Sequence, residues 1–444
     1  MKIETTTYTI RDFSKKDIRL NIGLSITTDV DVINSSVDIQ LYPIASFQGR
    51  IPEEAFSLLL LSAIVYSIDR SVNRHKYSID GWTREFDVDI NLPACDRFKQ
   101  SKTDIEQMLS FLTGDYWCFN FAGDTVVEYP NIKLDAYYDN ITQVNLFSGG
   151  LDSLIGAIDY VAHNPNGKLY LSSHYDSYMT GPKIDQSRVR KELIEEYGKS
   201  IVYHEGICIT PGVSKETSCR SRSLVFIALA NIVASYAKCD VVIPENGSVS
   251  LNFPLSHSRR AACSTRTTHP IFLSQFQTLL VKLGLSTRIY NPYEFMTKGE
   301  MVKDCANMDL LIRTLPLSNS CGKRNMHQHM FDNSKATHCA HCMPCMYRKA
   351  ATIGIKDLTS YGNKLQTIFL KKSNAVSNDF YAMLDFLKKD LTHDEIRREL
   401  HVAGMAGFSD LDSYIDLVIR TRAELSNMLR KENSTLINQY MGWE

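Results

Sequence analysis

The sequence predicts an α/β protein centred on a doubly wound parallel sheet, and three observations point to it. Beyond Asn140, apolar runs (QVNLF, KLYLSSHY, SIVYHEGI and DVVIPENG) alternate with helical patterns such as 188–197 and 224–237, the rhythm of parallel strands with helices on both faces. The first run delivers the chain to two consecutive glycines, Gly149 and Gly150, and then into the helical pattern LIGAIDYV. The flanks read differently. Residues 1–139 mix strands and helices as a smaller α+β domain, 140–355 hold the parallel sheet, and 356–444 form a helical extension.

In the N-terminal region Ile18, Leu20, Ile22, Leu24 and Ile26 alternate with Arg19, Asn21, Gly23 and Ser25, the period of a half-buried strand. Phe86, Val88, Ile90 and Leu92 repeat the pattern, and 117–121 reads as a third strand. Residues 56–68 are apolar apart from Ser57, Ser62 and Ser67, and too short to span a bilayer. They predict a buried helix, opened by Pro52 and by Glu53 and Glu54, whose charges suit the positive end of a helix dipole. Another helix is expected near 102–113. The region carries no chemical motif and reads as a scaffold or a partner-docking module. In the C-terminal extension Thr392 with Glu395, and Ser409 with Asp412, resemble capping boxes. Leu411, Ile415, Val418, Leu425 and Leu429 form one stripe at helical spacing, the pattern of a helix facing a core.

With 44% hydrophobic and 22% charged residues, a chain of 444 can bury two or three cores. Its formal net charge of −1 supplies no global field toward nucleic acid or an anionic membrane. The opening MKIETTTYTI has no apolar segment of the secretory kind. Eleven cysteines, an odd number, argue against a disulfide framework and for a reducing cytoplasm. Four crowd into 321–345; the other seven sit among apolar neighbours and read as core filler.

The strongest single motif is Ser148-Gly149-Gly150-Leu151-Asp152-Ser153 between a strand and a helix. Two glycines let the backbone approach an anion without a Cβ in the way. The helix that follows aims its free N–H groups and dipole at the same point, and Ser148 and Ser153 add hydroxyl donors. Asp152 would repel an anion, so two readings stand for it: it caps the helix, or it helps hold the magnesium that neutralises pyrophosphate.

Cys339, Cys342 and Cys345 follow one another at two-residue spacing, with Cys321 a loop upstream. Four thiolates make the closed tetrahedral shell of a structural zinc site. His327, His329, His338 and His341 are alternatives to Cys321. An iron–sulfur pattern would need its next cysteine at Lys349.

SGGLDS resembles the signature of the ATP-pyrophosphatase family, which cleaves ATP between the α- and β-phosphates. Together with the cysteine knuckle, Arg222 in RSRSLVF, Thr297-Lys298-Gly299-Glu300 and Arg348, it resembles the 7-cyano-7-deazaguanine synthase family over roughly residues 140–355. The resemblance implies ATP, Mg²⁺ and Zn²⁺ as cofactors, Asp152 and Lys298 as catalytic residues, and Ser148–Ser153 with Arg222 around the phosphates. It implies 7-carboxy-7-deazaguanine as the acid that is adenylated.

The departures point further. The family's Asp-Tyr-Gly-Gln is replaced by His174-Tyr175-Asp176-Ser177, and its Asp-Cys-Arg-Pro-Glu-Phe is absent. In place of the latter stand a stretch opening with Glu245-Asn246-Gly247 and an arginine-rich one; Arg259, Arg260 and Arg266 of the second are candidates to hold a substrate carboxylate or line a cleft for a partner peptide. With the added flanking regions, the chain is similar to synthase-like proteins of anti-phage operons, the Qat type above all, ahead of the related components of cyclic-oligonucleotide defence operons. That resemblance implies acyl transfer to a protein amine, plausibly the N terminus of an operon-encoded partner. His174 and His269 lie in expected loops as lesser candidates. Competing readings are an ammonia-dependent nitrile synthase, a tRNA sulfur transferase, and a non-catalytic nucleotide-binding subunit.

Overall fold

Two sheets organise the chain. A computed structural model describes all residues except 15–16, 43, 48, 125–126, 128–132, 180, 256–265, 325, 372–376 and 444. Its strands are β1 (Lys2–Ser14), β2 (Asp17–Thr27), β3 (Val32–Gln40), β4 (Glu85–Leu92), β5 (Tyr116–Asp124), β6 (Gln143–Leu146), β7 (Leu169–Ser172), β8 (His174–Tyr175), β9 (Ile201–Tyr203), β10 (Ile207–Pro211), β11 (Asp240–Val242) and β12 (Ile289–Tyr290). The larger, mixed sheet has the order β5-β4-β1-β2-β3-β10-β8, and the smaller has β12-β11-β6-β7-β9.

The smaller sheet is parallel throughout. Alternate strand residues face opposite ways, so both faces need cover. Leu169, Leu171 and Ile201 pack with residues of the helices Leu151–His163 and Gly181–Tyr197. Val144, Tyr170, Val202 and Val241 pack on the other side with residues of Arg222–Ala237 and Pro270–Lys282. From β6 the chain winds outward through β7 and β9, then returns to the other side of β6 for β11 and β12. The order therefore reverses between β6 and β11, and ligands of open α/β sheets bind in the crevice at such a point.

The expected N-terminal strands and helices are present, with β1 and β3 added. The helix Glu53–Ser71 is buried nearly all round, as a helix must be when sandwiched: it packs between the larger sheet and the helix Arg222–Ala237. The change of rhythm near residue 139 is not an edge in the packing. The two apolar runs KLYLSSHY and SIVYHEGI each split, and their second halves, β8 and β10, leave the parallel sheet and extend the larger one beside β3. One core joins Ile22 and Val37 to Val144 and Val241.

The C-terminal region packs its own core from the helices Asn378–Lys388, His393–Val402, Leu411–Lys431 and Thr435–Met441. The capping box of Thr392 with Glu395 is present. The one expected at Ser409 and Asp412 is not: the last long helix starts one residue later, after Asp410, with no side-chain cap. Among the scattered cysteines, Cys118 is exposed on β5 rather than in the core, because that strand turns alternate residues to solvent; Cys263 lies outside the described residues. No described helix is long and apolar enough to cross a membrane.

Buried histidines, His174 and His269 among them, make stability depend on acid. Burial, with the nearby Arg222 charge, brings His174 down to about 3, and burial with Arg266 does the same for His269. Both are lowered from 6.5, so this stability is present above about pH 6.5 and is lost as pH falls toward 3. Each histidine contributes a slope of about 1.4 kcal/mol per pH unit. The urea midpoint is expected to fall steadily from pH 6.5 to 5.5, and His269→Asn, which keeps a helix-capping acceptor, to lessen the slope. A flat midpoint over this interval would contradict the assignment.

Candidate active site and metal centre

The Ser148–Ser153 loop emerges from β6 at the switch point. Gly149 has φ 81°, and a Cβ there would stand 2.7 Å from the Gln186 backbone nitrogen, so only glycine fits. Gly150 is the N-cap of the helix Leu151–His163, which has no side-chain cap. The N–H groups of its first turn are therefore left for an anion. Ser148, exposed at the mouth, accepts from the Gly150 N–H at 3.2 Å and lies 3.4 Å from the Ser153 hydroxyl. Ser153 Oγ donates to the Gly150 carbonyl at 3.0 Å.

Asp152 is not a helix cap. Its side chain is buried and receives the Lys298 ammonium on Oδ1 at 2.5 Å. Oδ2 accepts from Asn246 Nδ2 at 2.8 Å. Lys298, also buried, opens the helix Lys298–Lys303, where Thr297 and Glu300 form a capping box. Burial opposes charge on Asp152, yet Lys298 and the donors around it outweigh burial and hold its carboxyl at about 2. The neighbouring Glu245 goes the opposite way: burial first, then the Asp152 charge, push it well above the usual carboxyl range. Of the two neighbouring carboxyls, Asp152 thus holds the negative charge and Glu245 keeps its proton more tightly than an ordinary carboxyl. Two carboxyls next to one ammonium share one negative charge.

Asn246 caps the short helix Gly247–Leu251 through the Val249 N–H, and Glu245 and Asn246 lie in the loop after β11, past Ile243 and Pro244. Neither was singled out as a site residue from sequence. The available signal was their place, in a loop after a parallel strand, where chemistry in such sheets collects.

The four cysteines are brought together. Their sulfurs all lie within 4.8 Å of one another and all four residues are buried. A sulfur–sulfur separation of about 3.8 Å follows from Zn–S bonds of about 2.3 Å in a tetrahedron, and Cys339 and Cys345 stand 3.9 Å apart. Backbone N–H groups of Lys323 and Cys339 point at Cys321 Sγ, and that of Cys342 at Cys339 Sγ, at 3.3–3.4 Å. Hydrogen bonds from the other three thiols hold Cys339 well below the usual thiol range. The donor set fits zinc, and among the described residues no histidine joins it. His338 is buried with its ring bonded to Thr337 and to the Ser320 N–H.

The cysteine cluster braces the Ser148–Ser153 loop. Asn319, two residues before Cys321, donates its N–H to the Gly149 carbonyl at 3.0 Å, while its Oδ1 accepts from the Cys321 N–H at 2.8 Å. Arg324, three residues after Cys321, pairs with Asp185, whose neighbour Gln186 is the residue packed on Gly149. Arg348 is fully buried and donates to the Leu315 carbonyl and to the hydroxyls of Ser318 and Thr359; it fastens the approach to the knuckle.

The remaining candidates are not gathered here. Arg222 opens its helix with its guanidinium over Phe226, near His174, and no hydrogen bond or ion pair joins it to the Ser148–Ser153 loop. His174 is fully buried between the rings of Tyr66 and Phe226. Arg266 stacks on Phe111 at 4.4 Å and donates to its carbonyl at 3.0 Å. It lines a cleft of about 30 Å³ with Phe253, His269 and Leu400. Arg259 and Arg260 lie outside the described residues. Comparison with family models, curated proteins and solved structures finds no match to this chain.

Proposed function

We propose that this chain is an AMP-forming ligase with an ATP-pyrophosphatase type of sheet. It adenylates 7-carboxy-7-deazaguanine and transfers the acyl group to an amine, the N terminus of an operon-encoded partner, in bacterial anti-phage defence. The observation that carries this reading is the meeting of Asp152 and Lys298 at 2.5 Å directly behind an uncapped helix N terminus, at the crevice between β6 and β11. An anion cradle alone would bind phosphate. A buried cation and carboxylate beside it supply what a reaction at phosphorus needs.

In the first step the carboxylate oxygen of the acid attacks the α-phosphorus, the bond to the bridging oxygen breaks, and pyrophosphate leaves. The N–H groups of Leu151–Ser153 and the Ser148 hydroxyl hold its oxygens, and Lys298 neutralises the charge that develops on it. Asp152, joined by Glu245 once that carboxyl gives up its proton, would offer oxygens to a magnesium ion, which would screen the charge of the pyrophosphate. In the second step the amine attacks the acyl carbon, an amide forms, AMP leaves, and the amine proton passes to solvent. A zinc ion on the four thiolates would act at a distance, by keeping Asn319 against Gly149. The four thiols form one buried shell, which favours this reading over sulfur relay and suits a reducing cytoplasm.

An amine on a protein needs more room than ammonia, and the family's Asp-Cys-Arg-Pro-Glu-Phe segment is missing here. Incubation of the enzyme with ATP, the acid and each operon-encoded protein is expected to add the deazaguanine acyl mass to one of them, and not when Asp152 is replaced. Efficient nitrile formation from ammonia, with no mass shift on any partner, would overturn the transfer reading.

A further inference from the structure

We infer that the C-terminal helix Leu411–Lys431 is a clamp that sets Lys298 and Asn246 on Asp152, with Glu424 as its chief positioning residue. The chemical consequence rests on the adenylation reading; the geometry does not.

Asp152 is gripped by residues from two separate segments, Asn246 after β11 and Lys298 at the start of its short helix. Each segment is short: five residues in Gly247–Leu251 and six in Lys298–Lys303. Helices of that length do not hold their own position. One long helix touches both. Arg420, Thr421 and Glu424 stand on one face, three and four residues apart. Glu424 accepts from the Thr297 hydroxyl and, on Oε2, from the Gly299 N–H at 3.3 Å, so it grips the residues on either side of Lys298. Arg420 pairs with Glu300 and donates to the Phe295 carbonyl at 2.9 Å. Thr421 gives its hydroxyl proton to the Leu417 carbonyl, so the Ser248 hydroxyl donates to Thr421 at 2.5 Å and ties in the helix that Asn246 caps.

Two glycines record how close the approach is. A Cβ on Gly299 would stand 2.3 Å from Glu424 Oε1, and one on Gly247 would stand 2.7 Å from Leu417 Cδ2 and closer still to the Glu294 carbonyl. A side chain at Gly299 would displace the Glu424 carboxylate, and one at Gly247 would collide with the Glu294 backbone and with Leu417. Tyr414 adds a hydrogen bond to Glu294 at 2.5 Å, on the strip that leads to Lys298. The stripe of apolar residues on this helix accounts for its docking on the C-terminal core. It does not account for three polar side chains directed at the segments that carry Asn246 and Lys298.

The test uses the full-length chain and two readouts. In Glu424→Ala, kcat for AMP formation is expected to fall by about 10- to 100-fold, the effect of misplacing a catalytic group by about 1 Å, while KM for ATP stays within about threefold. Glu424→Gln keeps an acceptor oxygen and should recover most of the loss. The second readout needs no activity: acetylation of each lysine by a small anhydride, followed by mass spectrometry with exposed Lys282 as reference. Lys298 labelling is expected to rise about tenfold in Glu424→Ala as its segment opens locally. Arg420→Met, which releases Glu300 and the Phe295 carbonyl on the Lys298 side, takes its place in this assay if Glu424→Ala does not fold. A lowered melting temperature with wild-type labelling of Lys298 would assign a merely structural role and overturn the clamp. A wild-type enzyme that forms no AMP would instead overturn the adenylation reading, and labelling would then decide the clamp alone.

Discussion

Asp152→Asn lowers AMP formation by a factor on the order of 10³ in a protein that still folds, as loss of a charge aimed at the reacting phosphates requires. The carboxyl is held at about 2, so it is ionised at any pH where the enzyme would work, and the amide removes that charge without changing shape. The choice of substitution matters. Were Asp152 a helix cap, alanine would cost only about 1 kcal/mol. In the structure alanine takes both acceptor oxygens from the buried Lys298 ammonium and Asn246, where asparagine keeps one, and breaking a buried pair from one side costs about 3–5 kcal/mol. Asp152→Ala is therefore expected to lose stability as well as activity. Adding Lys298→Met to it should restore the stability and leave the activity absent. Denaturant midpoints beside pyrophosphate release separate the two effects. Equal stability of Asp152→Ala and wild type would remove the Lys298 pairing from the account.

Cys342→Ser yields insoluble or protease-sensitive protein, not a slow enzyme. Structural zinc contributes on the order of 10 kcal/mol in small sites, and the knuckle has little else to order it: Cys321–Cys345 is mostly loop, and its own cluster consists of the four cysteines alone. The damage should spread, because Asn319 hangs on Cys321 and holds Gly149. Elemental analysis of the wild type is expected to give about one zinc per chain, in a colourless preparation. Iron with absorbance near 400 nm, or a soluble and active Cys342→Ser protein, would contradict the structural-zinc assignment.

Much of this was legible in the sequence, for reasons that differ by element. β2 and β4 bury one face and expose the other, and their alternation carries that information directly. β1 and β3 were missed: β1 spends its exposed face on threonines, and β3 buries Val37 and Ile39 but reads NSS through its middle. The splitting of KLYLSSHY and SIVYHEGI could not be read, because a run apolar on both faces does not say which sheet it joins.

The centre divides in the same way. The loop, the lysine and the four cysteines are local motifs whose residue types imply their chemistry. Glu245, Asn246 and Glu424 matter only because the fold carries them to Asp152 and Lys298 from distant parts of the chain, and no local pattern marks such a meeting. The stripe at 411–429 faces a core, as its spacing predicts, but the polar residues between its members carry a second message.

The most direct test of the central claim is the fate of ATP. Wild-type enzyme with magnesium, 7-carboxy-7-deazaguanine and ATP labelled at the α-phosphate should release AMP and pyrophosphate in equal amounts, only when the acid is present, and not with Asp152→Asn. Release of ADP and phosphate, or no turnover of ATP with this acid and any candidate amine, would contradict it.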